Sequence, residues 1–159
     1  MSNVSESVVV NASLAEAWDY YFEPRGWPAW VDGFARTEAS DGYPQAGGSL
    51  RWRSIPAGRG EVTEHVLEHE PRRLHRVAFR DSVSAGELRT TFEILGEATA
   101  VTQELDYRLR RRGPFVWLTD RLFIRSQLRG SIARSLARLK LEVEELAAPG
   151  ASAGEPRSL

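Results

Sequence analysis

The sequence predicts an α+β fold: a curved antiparallel sheet of about seven strands wraps around one long C-terminal helix, with two short helices after the first strand. Residues 49–109 contain one strand pattern after another, and the clearest pair alternates apolar and polar side chains. That period of two is typical of an antiparallel sheet with one buried face. The C-terminal third instead places Leu128, Ile132 and Leu136 at helical spacing, which indicates an amphipathic helix.

The N-terminal segment predicts a strand followed by two short helices. Residues 4–11 are rich in β-branched side chains, which favour a strand. Ser13 and Glu16 form a capping box, in which each side chain satisfies a backbone donor at the other position. A helix is therefore predicted over residues 14–22, and Pro24 is suited to open a second short helical turn.

Turn residues divide the middle of the chain into six further predicted strands. These strands cover residues 34–40, 49–55, 61–70, 74–79, 86–95 and 101–109. In the last pair, Leu88 and Phe92 alternate with charged and hydroxyl side chains, as do Leu105 and Tyr107. A helix over about residues 115–147 is predicted to close the fold.

Length and composition limit the function classes. The 159 residues, 42% hydrophobic and 27% charged, suit one domain at residues 1–147. Residues 148–159 are small and polar and are expected to form a disordered tail. The absence of cysteine excludes disulfides and thiolate chemistry. No apolar run approaches about 18 residues, so no stable membrane insertion is expected, and the first ten residues lack a signal-peptide pattern, which favours a cytoplasmic location.

The predicted architecture implies an internal space. A sheet of this size must cover its apolar face, and the long helix is the element able to do so. A helix is only about 10 Å wide, and a strongly twisted sheet cannot close on it everywhere. We therefore expect a cavity between the concave face of the sheet and the N-terminal half of the long helix.

Nine side chains are candidates for binding a ligand in that cavity. They comprise apolar walls, polar groups on the buried face of a strand and one arginine of the long helix. The candidates are Trp30, Trp52, Phe92, Gln103, Leu105, Tyr107, Leu118, Leu122 and Arg125. Gln103 and Tyr107 either hold a polar ligand atom or bond to backbone or trapped water, because buried polar groups need partners. Trp52 and Phe92 are either cavity walls or ordinary core residues.

Arg125 is the candidate with the most specific chemistry. At about 100° per residue it lies near the middle of the stripe that contains Ile132 and Leu136. An arginine that faces the sheet needs an acceptor, since it cannot lose its proton. A ligand carboxylate, phenolate or carbonyl would serve. The alternatives are a salt bridge to a strand carboxylate, or a bend that turns Arg125 outward.

Other charged and metal-ligating residues suggest little chemistry. His65 and His69, four residues apart on a strand, are expected about 13 Å apart, too far for one metal ion. We expect no metal and no cofactor. Glu64 and Glu68 are expected on the solvated face of the sheet. The net charge of −1 and the absence of a recognised motif argue against nucleic-acid binding.

The chain resembles the polyketide cyclase/dehydrase-like branch of the SRPBCC superfamily, which includes START and birch-pollen-allergen proteins. The resemblance covers about residues 3–147 and rests on five segments. They are VVVNASLAEAW at 8–18, WPAW at 27–30, GGSLR at 47–51, VLEHEPRRL at 66–74 and ARLK at 137–140. It implies a helix-grip fold that encloses an apolar ligand.

Three functions follow as expectations. The first is binding of a small apolar or amphipathic molecule, such as a lipid, an isoprenoid or an aromatic polyketide, in the cavity. The second is an aromatic polyketide cyclase or dehydratase that acts in the same cavity. The third is a non-catalytic interaction module whose cavity is filled by tryptophan side chains. No residue is assigned a catalytic role, and a homodimer is compatible with the sequence.

Overall fold

Seven antiparallel strands and a long C-terminal helix make up the computed structural model, which describes residues 2–110 and 119–148. The elements are β1 (Ser2–Val10), α1 (Leu14–Tyr21), a 3₁₀ turn (Pro24–Gly26), α2 (Trp27–Trp30), β2 (Phe34–Asp41), β3 (Ser49–Ser54), β4 (Glu61–Glu70), β5 (Leu74–Arg80), β6 (Ser84–Leu95), β7 (Ala98–Leu109) and α3 (Thr119–Ala147). The predicted fold class is confirmed. The predicted start of the last helix lies outside the described residues, and so does the predicted tail at residues 148–159 except for residue 148.

The order of the strands explains why the two short helices cross the sheet. The sheet runs β1-β7-β6-β5-β4-β3-β2, so β1 and β2 form its opposite edges although they are consecutive strands. The chain between them must span the sheet, and α1 and α2 lie in that crossing. The predicted capping box starts the crossing: Glu16 N–H donates to Ser13 Oγ at 3.2 Å, and Ser13 N–H donates to Glu16 Oε2 at 2.8 Å.

The register of the strands determines which side chains line the concave face. Leu105 pairs with Leu88, Leu88 with Val77, and Val77 with Val66, so these residues form one apolar row across β7, β6, β5 and β4. Val66 is 3% exposed, whereas its neighbour Leu67 is 42% exposed and lies on the convex face. The inward face of β4, ambiguous in the sequence, is therefore the one that carries Val62, Glu64 and Val66.

The helix α3 packs by its C-terminal two-thirds near the β1 edge. Leu136, Leu139 and Val143 are almost completely buried. Polar contacts join the same helix to the β1 side: Lys140 Nζ donates to the Val9 carbonyl at 2.7 Å, and Asn11 N–H donates to Glu144 Oε1 at 2.8 Å. Among the described helices, α3 included, we find none whose length and hydropathy would allow it to cross a membrane.

Replacing Leu139 with alanine should lower the free energy of unfolding by roughly 2–5 kcal/mol, because the side chain is fully buried and its removal leaves a cavity. Leu141→Ala is the matched control, since Leu141 lies two residues away on the same helix and is 66% exposed. It should change stability by less than about 0.5 kcal/mol. Urea denaturation measures both. Equal losses would contradict the observed packing of α3.

Candidate ligand-binding cavity

A cavity of about 110 Å³ lies between the concave face of the sheet, the crossing segment with α2 and the middle of α3. Apolar and aromatic side chains provide most of its wall, among them Trp27, Trp30, Phe34, Trp52 and Leu105. For scale, an engineered apolar cavity of about 150 Å³ binds benzene. The space is therefore suited to a molecule about the size of one aromatic ring.

Aromatic packing explains why this space is small. The Phe34 and Trp52 ring centroids lie 5.3 Å apart, and Trp27 contacts both Phe34 and Tyr43 at about 6 Å. Trp18 and Tyr21, from α1, cover the neighbouring part of the sheet. Rings at these separations are in van der Waals contact, so they fill most of the volume that the curved sheet encloses.

The structure places the sequence-predicted site residues in three environments. Trp30, Trp52, Gln103 and Leu105 line the cavity. Two others, Phe92 and Tyr107, were expected there but are buried in the core and are not lining residues. Phe92 packs against Trp18 and Tyr21, with ring centroids 4.9 and 5.4 Å away. The alternation on β6 and β7 identifies the buried face but not which part of that face the helices cover.

The expectation that Leu122 and Arg125 face the sheet is wrong. Leu122 is 70% exposed, its neighbour Phe123 is 60% exposed, and Arg125 is also exposed. Arg125 lies on the same side of the helix as the buried stripe. Its position on the helix determines only the direction in which the side chain points, not whether another element covers it. Within the described residues, no element covers these side chains. The ninth candidate, Leu118, lies outside the described residues.

A buried hydrogen-bond network joins Gln103, Tyr21 and Thr90. Gln103 Nε2 donates to the Tyr21 hydroxyl oxygen at 2.9 Å, and that hydroxyl is also 2.9 Å from Thr90 Oγ1. Burial raises the pKa of Tyr21 to about 12, and the bonds to Thr90 and Gln103 oppose this rise. The Nε2 of Gln103 therefore bonds to a protein side chain, and this bond helps to fix the position of Tyr21 in the cavity wall.

Glu64 is a cavity residue that the sequence interpretation missed. The register pairs it with Leu50 on β3 and with Phe79 on β5, so its carboxyl lies on the concave face rather than the solvated face. Trp52 Nε1–H donates to its Oε1 at 3.1 Å. Burial raises the pKa of Glu64, while the Trp52 hydrogen bond and the positive charge of Arg59 oppose this rise. The expectation that Glu64 is solvated is wrong, because both faces of β4 mix polar and apolar residues and the sequence does not show which of them is concave.

Arg59 brings a positive charge to the cavity wall, and a buried acid neutralises it. Arg59 Nε donates to Asp81 Oδ2 at 2.7 Å, and the Asp81 side chain is only 1% exposed. The guanidinium also lies 5.8 Å from the Trp52 ring centroid and 5.3 Å from that of Phe79, within the range of a cation–π contact. These contacts hold the β3–β4 loop against the sheet.

A pair of histidines lies at the other end of β4. The β4–β5 hairpin places His69 opposite His75, with 3.0 Å between the two Nδ1 atoms. Burial and the neighbouring His69 lower the pKa of His75 to about 3, so its ring is neutral at physiological pH. His75 Nε2 has no hydrogen-bond partner among the described residues. The sequence spacing had suggested comparing His65 with His69, whereas the turn at residues 71–73 creates the actual pair.

A family model described as polyketide cyclase / dehydrase and lipid transport matches residues 1–144. The chain belongs to this family. The resemblance to the SRPBCC superfamily is thereby confirmed for nearly the whole chain. No curated protein matches this chain.

Solved structures share the fold of this family member at low sequence identity. The ZhuI aromatase/cyclase from Streptomyces sp. R1128 has a TM-score of 0.76 and 16% identity, over 96% of this chain and 98% of that one. A truncated norcoclaurine synthase from Thalictrum flavum has a TM-score of 0.66 and 17% identity, over 91% and 94%. The protein TTHA0849 from Thermus thermophilus has a TM-score of 0.70 and 16% identity, over 92% and 100%. These likenesses establish the helix-grip fold.

The buried neutral His75 predicts a loss of stability in acid. Its pKa in the folded chain lies below its ordinary value of 6.5, so the unfolded chain binds the extra proton. This contribution to stability is complete above about pH 6.5 and decreases as the pH falls toward the folded-state pKa.

Urea denaturation at pH 7 and about pH 4.5 tests this, with His75→Gln compared with His65→Gln, in which the exposed histidine is changed. The loss of unfolding free energy between the two pH values should be smaller in His75→Gln than in the wild type, and unchanged in His65→Gln. An identical pH dependence in all three proteins would contradict the assignment.

Proposed function

We propose that the protein binds a small, largely apolar molecule in the cavity beneath α2 and α3. The observation that carries the proposal is a partly open space of about 110 Å³ whose wall is mainly aromatic and aliphatic. A few polar side chains, including Glu64 and Tyr43, interrupt this wall. Apolar walls with a small number of placed polar groups are typical of small-molecule sites. The family description, which includes lipid transport, agrees with this proposal.

The size of the cavity determines the expected affinity. A ligand of one ring buries on the order of 200 Å² of apolar surface, which is worth roughly 5 kcal/mol at about 25 cal/mol per Å². That corresponds to a dissociation constant of a few tenths of a millimolar. A lipid or a polyketide chain exceeds the described space. The partly exposed lining residues Phe34, Tyr43 and Arg59 would have to move to admit it.

An aromatic polyketide cyclase or dehydratase is the second candidate function. It is favoured by the carboxyl of Glu64 in the cavity wall, because a positioned acid assists enolisation of a ketone. The similarity to an aromatase/cyclase over 96% of this chain supports the same reaction class. Turnover of an aryl-linked poly-ketone thioester to a cyclised product, measured by mass spectrometry, separates this candidate from simple binding.

Filling the cavity should abolish binding of toluene, a purely apolar probe of the right size. Leu128 lines the cavity, so Leu128→Trp inserts an indole into it. We expect the dissociation constant of toluene to rise by tenfold or more. Ligand-observed saturation-transfer NMR, with toluene titrated against each protein, measures the change.

Leu122→Trp is the matched control, because Leu122 lies on the same helix but is 70% exposed. It should bind toluene as the wild type does, and circular dichroism should show both variants folded. Equal binding by Leu128→Trp and the wild type would place toluene elsewhere. No binding by the wild type would refute the proposed function.

A further inference from the structure

We propose that the Glu64 carboxyl, in its protonated form, selects the ligand by donating a hydrogen bond to an uncharged acceptor oxygen on a one-ring molecule, as in an aryl ketone. The inference rests on the proposed function, since it concerns the same cavity. It adds the chemical class of the ligand. The sequence suggested Arg125 there, as a partner for a ligand carboxylate, phenolate or carbonyl. The described wall instead presents the Glu64 carboxyl, and its arginine, Arg59, is paired with Asp81.

The geometry leaves one oxygen of Glu64 available. Trp52 Nε1–H donates to Oε1 at 3.1 Å, and no described residue donates a hydrogen bond to Oε2. Glu64 lines the cavity, between Leu50 and Phe79 on the neighbouring strands. The carboxyl therefore has a free hydrogen-bonding position in a wall that is mainly aromatic and aliphatic.

Burial favours the neutral form of Glu64, although the nearby charge of Arg59 opposes it. Arg59 is the nearby cation, but its guanidinium already pairs with Asp81 at 2.7 Å. Burial, the largest influence on Glu64, raises its pKa. An acid in an apolar site can remain protonated near neutral pH and donate a hydrogen bond to a ligand oxygen. An entering apolar ring displaces the remaining solvent and strengthens this preference.

The other ionisable groups that line the cavity come from five segments of the chain. They are Tyr21 of α1, Asp32 after α2, Tyr43 between β2 and β3, Arg59 between β3 and β4, and His75 of β5. Asp32 is paired with Arg134 and Arg138 of α3, at 3.0 and 3.2 Å.

The protonation state of each of these groups stays the same between about pH 5 and pH 9. The pKa of Tyr21 is raised to about 12, and burial raises that of Tyr43 well above its ordinary value of 10.0. The pKa of His75 is lowered to about 3, and that of Asp32 is lowered by its hydrogen bonds and arginine partners although burial opposes this. Arginine stays charged. Of the described ionisable groups that line the cavity, Glu64 is therefore the one expected to change its charge in this range.

The test compares acetophenone with cumene, which has the same number of non-hydrogen atoms but carries no oxygen. Binding to the full chain is measured by saturation-transfer NMR at about pH 5 and pH 9. The wild type should bind acetophenone about five- to tenfold more tightly than cumene at the lower pH, as expected for one hydrogen bond. This preference should be lost at the higher pH, because ionised Glu64 repels the ketone oxygen.

Three variants complete the test. Glu64→Gln keeps an N–H donor and should prefer acetophenone equally at both pH values, whereas Glu64→Leu should lose the preference at both. Glu68→Gln is the control, because Glu68 contacts Arg76 at 3.4 Å and does not line the cavity. It should behave as the wild type does.

Each other outcome overturns the inference. A preference for acetophenone that survives Glu64→Leu, or a wild-type pH dependence that survives Glu64→Gln, assigns the selection to another group. The site is a cation site instead if benzylamine binds more tightly than either probe as the pH rises. This tighter binding must also require Glu64. Cumene binding without any Glu64 effect overturns this inference alone, whereas no binding of any probe refutes the proposed function as well.

Discussion

The width of a single helix is the constraint on which this structure depends. Seven strands at about 4.8 Å spacing span roughly 29 Å, whereas a helix with its side chains is about 10 Å across. The polar contacts of α3 with Val9 and Asn11 hold it near the β1 edge of the sheet. The sheet beyond the helix must be covered by another element, because exposing its apolar face to water is unfavourable.

The crossing between β1 and β2 supplies that cover. Trp27 and Trp30 of α2 lie between the concave face and α3, and Asp32 joins the end of this crossing to α3 through Arg134 and Arg138. Large aromatic rings cover much surface with few residues, but flat rings do not fill a curved volume completely. The remaining space is the cavity. Its size thus depends on a short segment, and its chemistry depends on the strand residues behind that segment.

The features that depend on a local sequence pattern were predicted correctly. The capping box at Ser13 and the alternation around Leu88 and Leu105 are local, and both agree with the structure. The position of Glu64 was missed because it depends on the β3–β4 register, on a strand where both faces mix polar and apolar residues. Arg125 was misplaced because helical periodicity does not reveal whether any element covers the helix. Tertiary cover and strand register are non-local, so one sequence does not determine them.

Diffraction from a crystal of the protein pressurised with xenon tests the central claim most directly, because xenon enters unfilled apolar cavities and scatters strongly. The account predicts a xenon site, or a resident molecule that xenon displaces, among Trp30, Trp52 and Leu105. Side chains packed in mutual contact there, with neither xenon nor any other molecule between them, would contradict it.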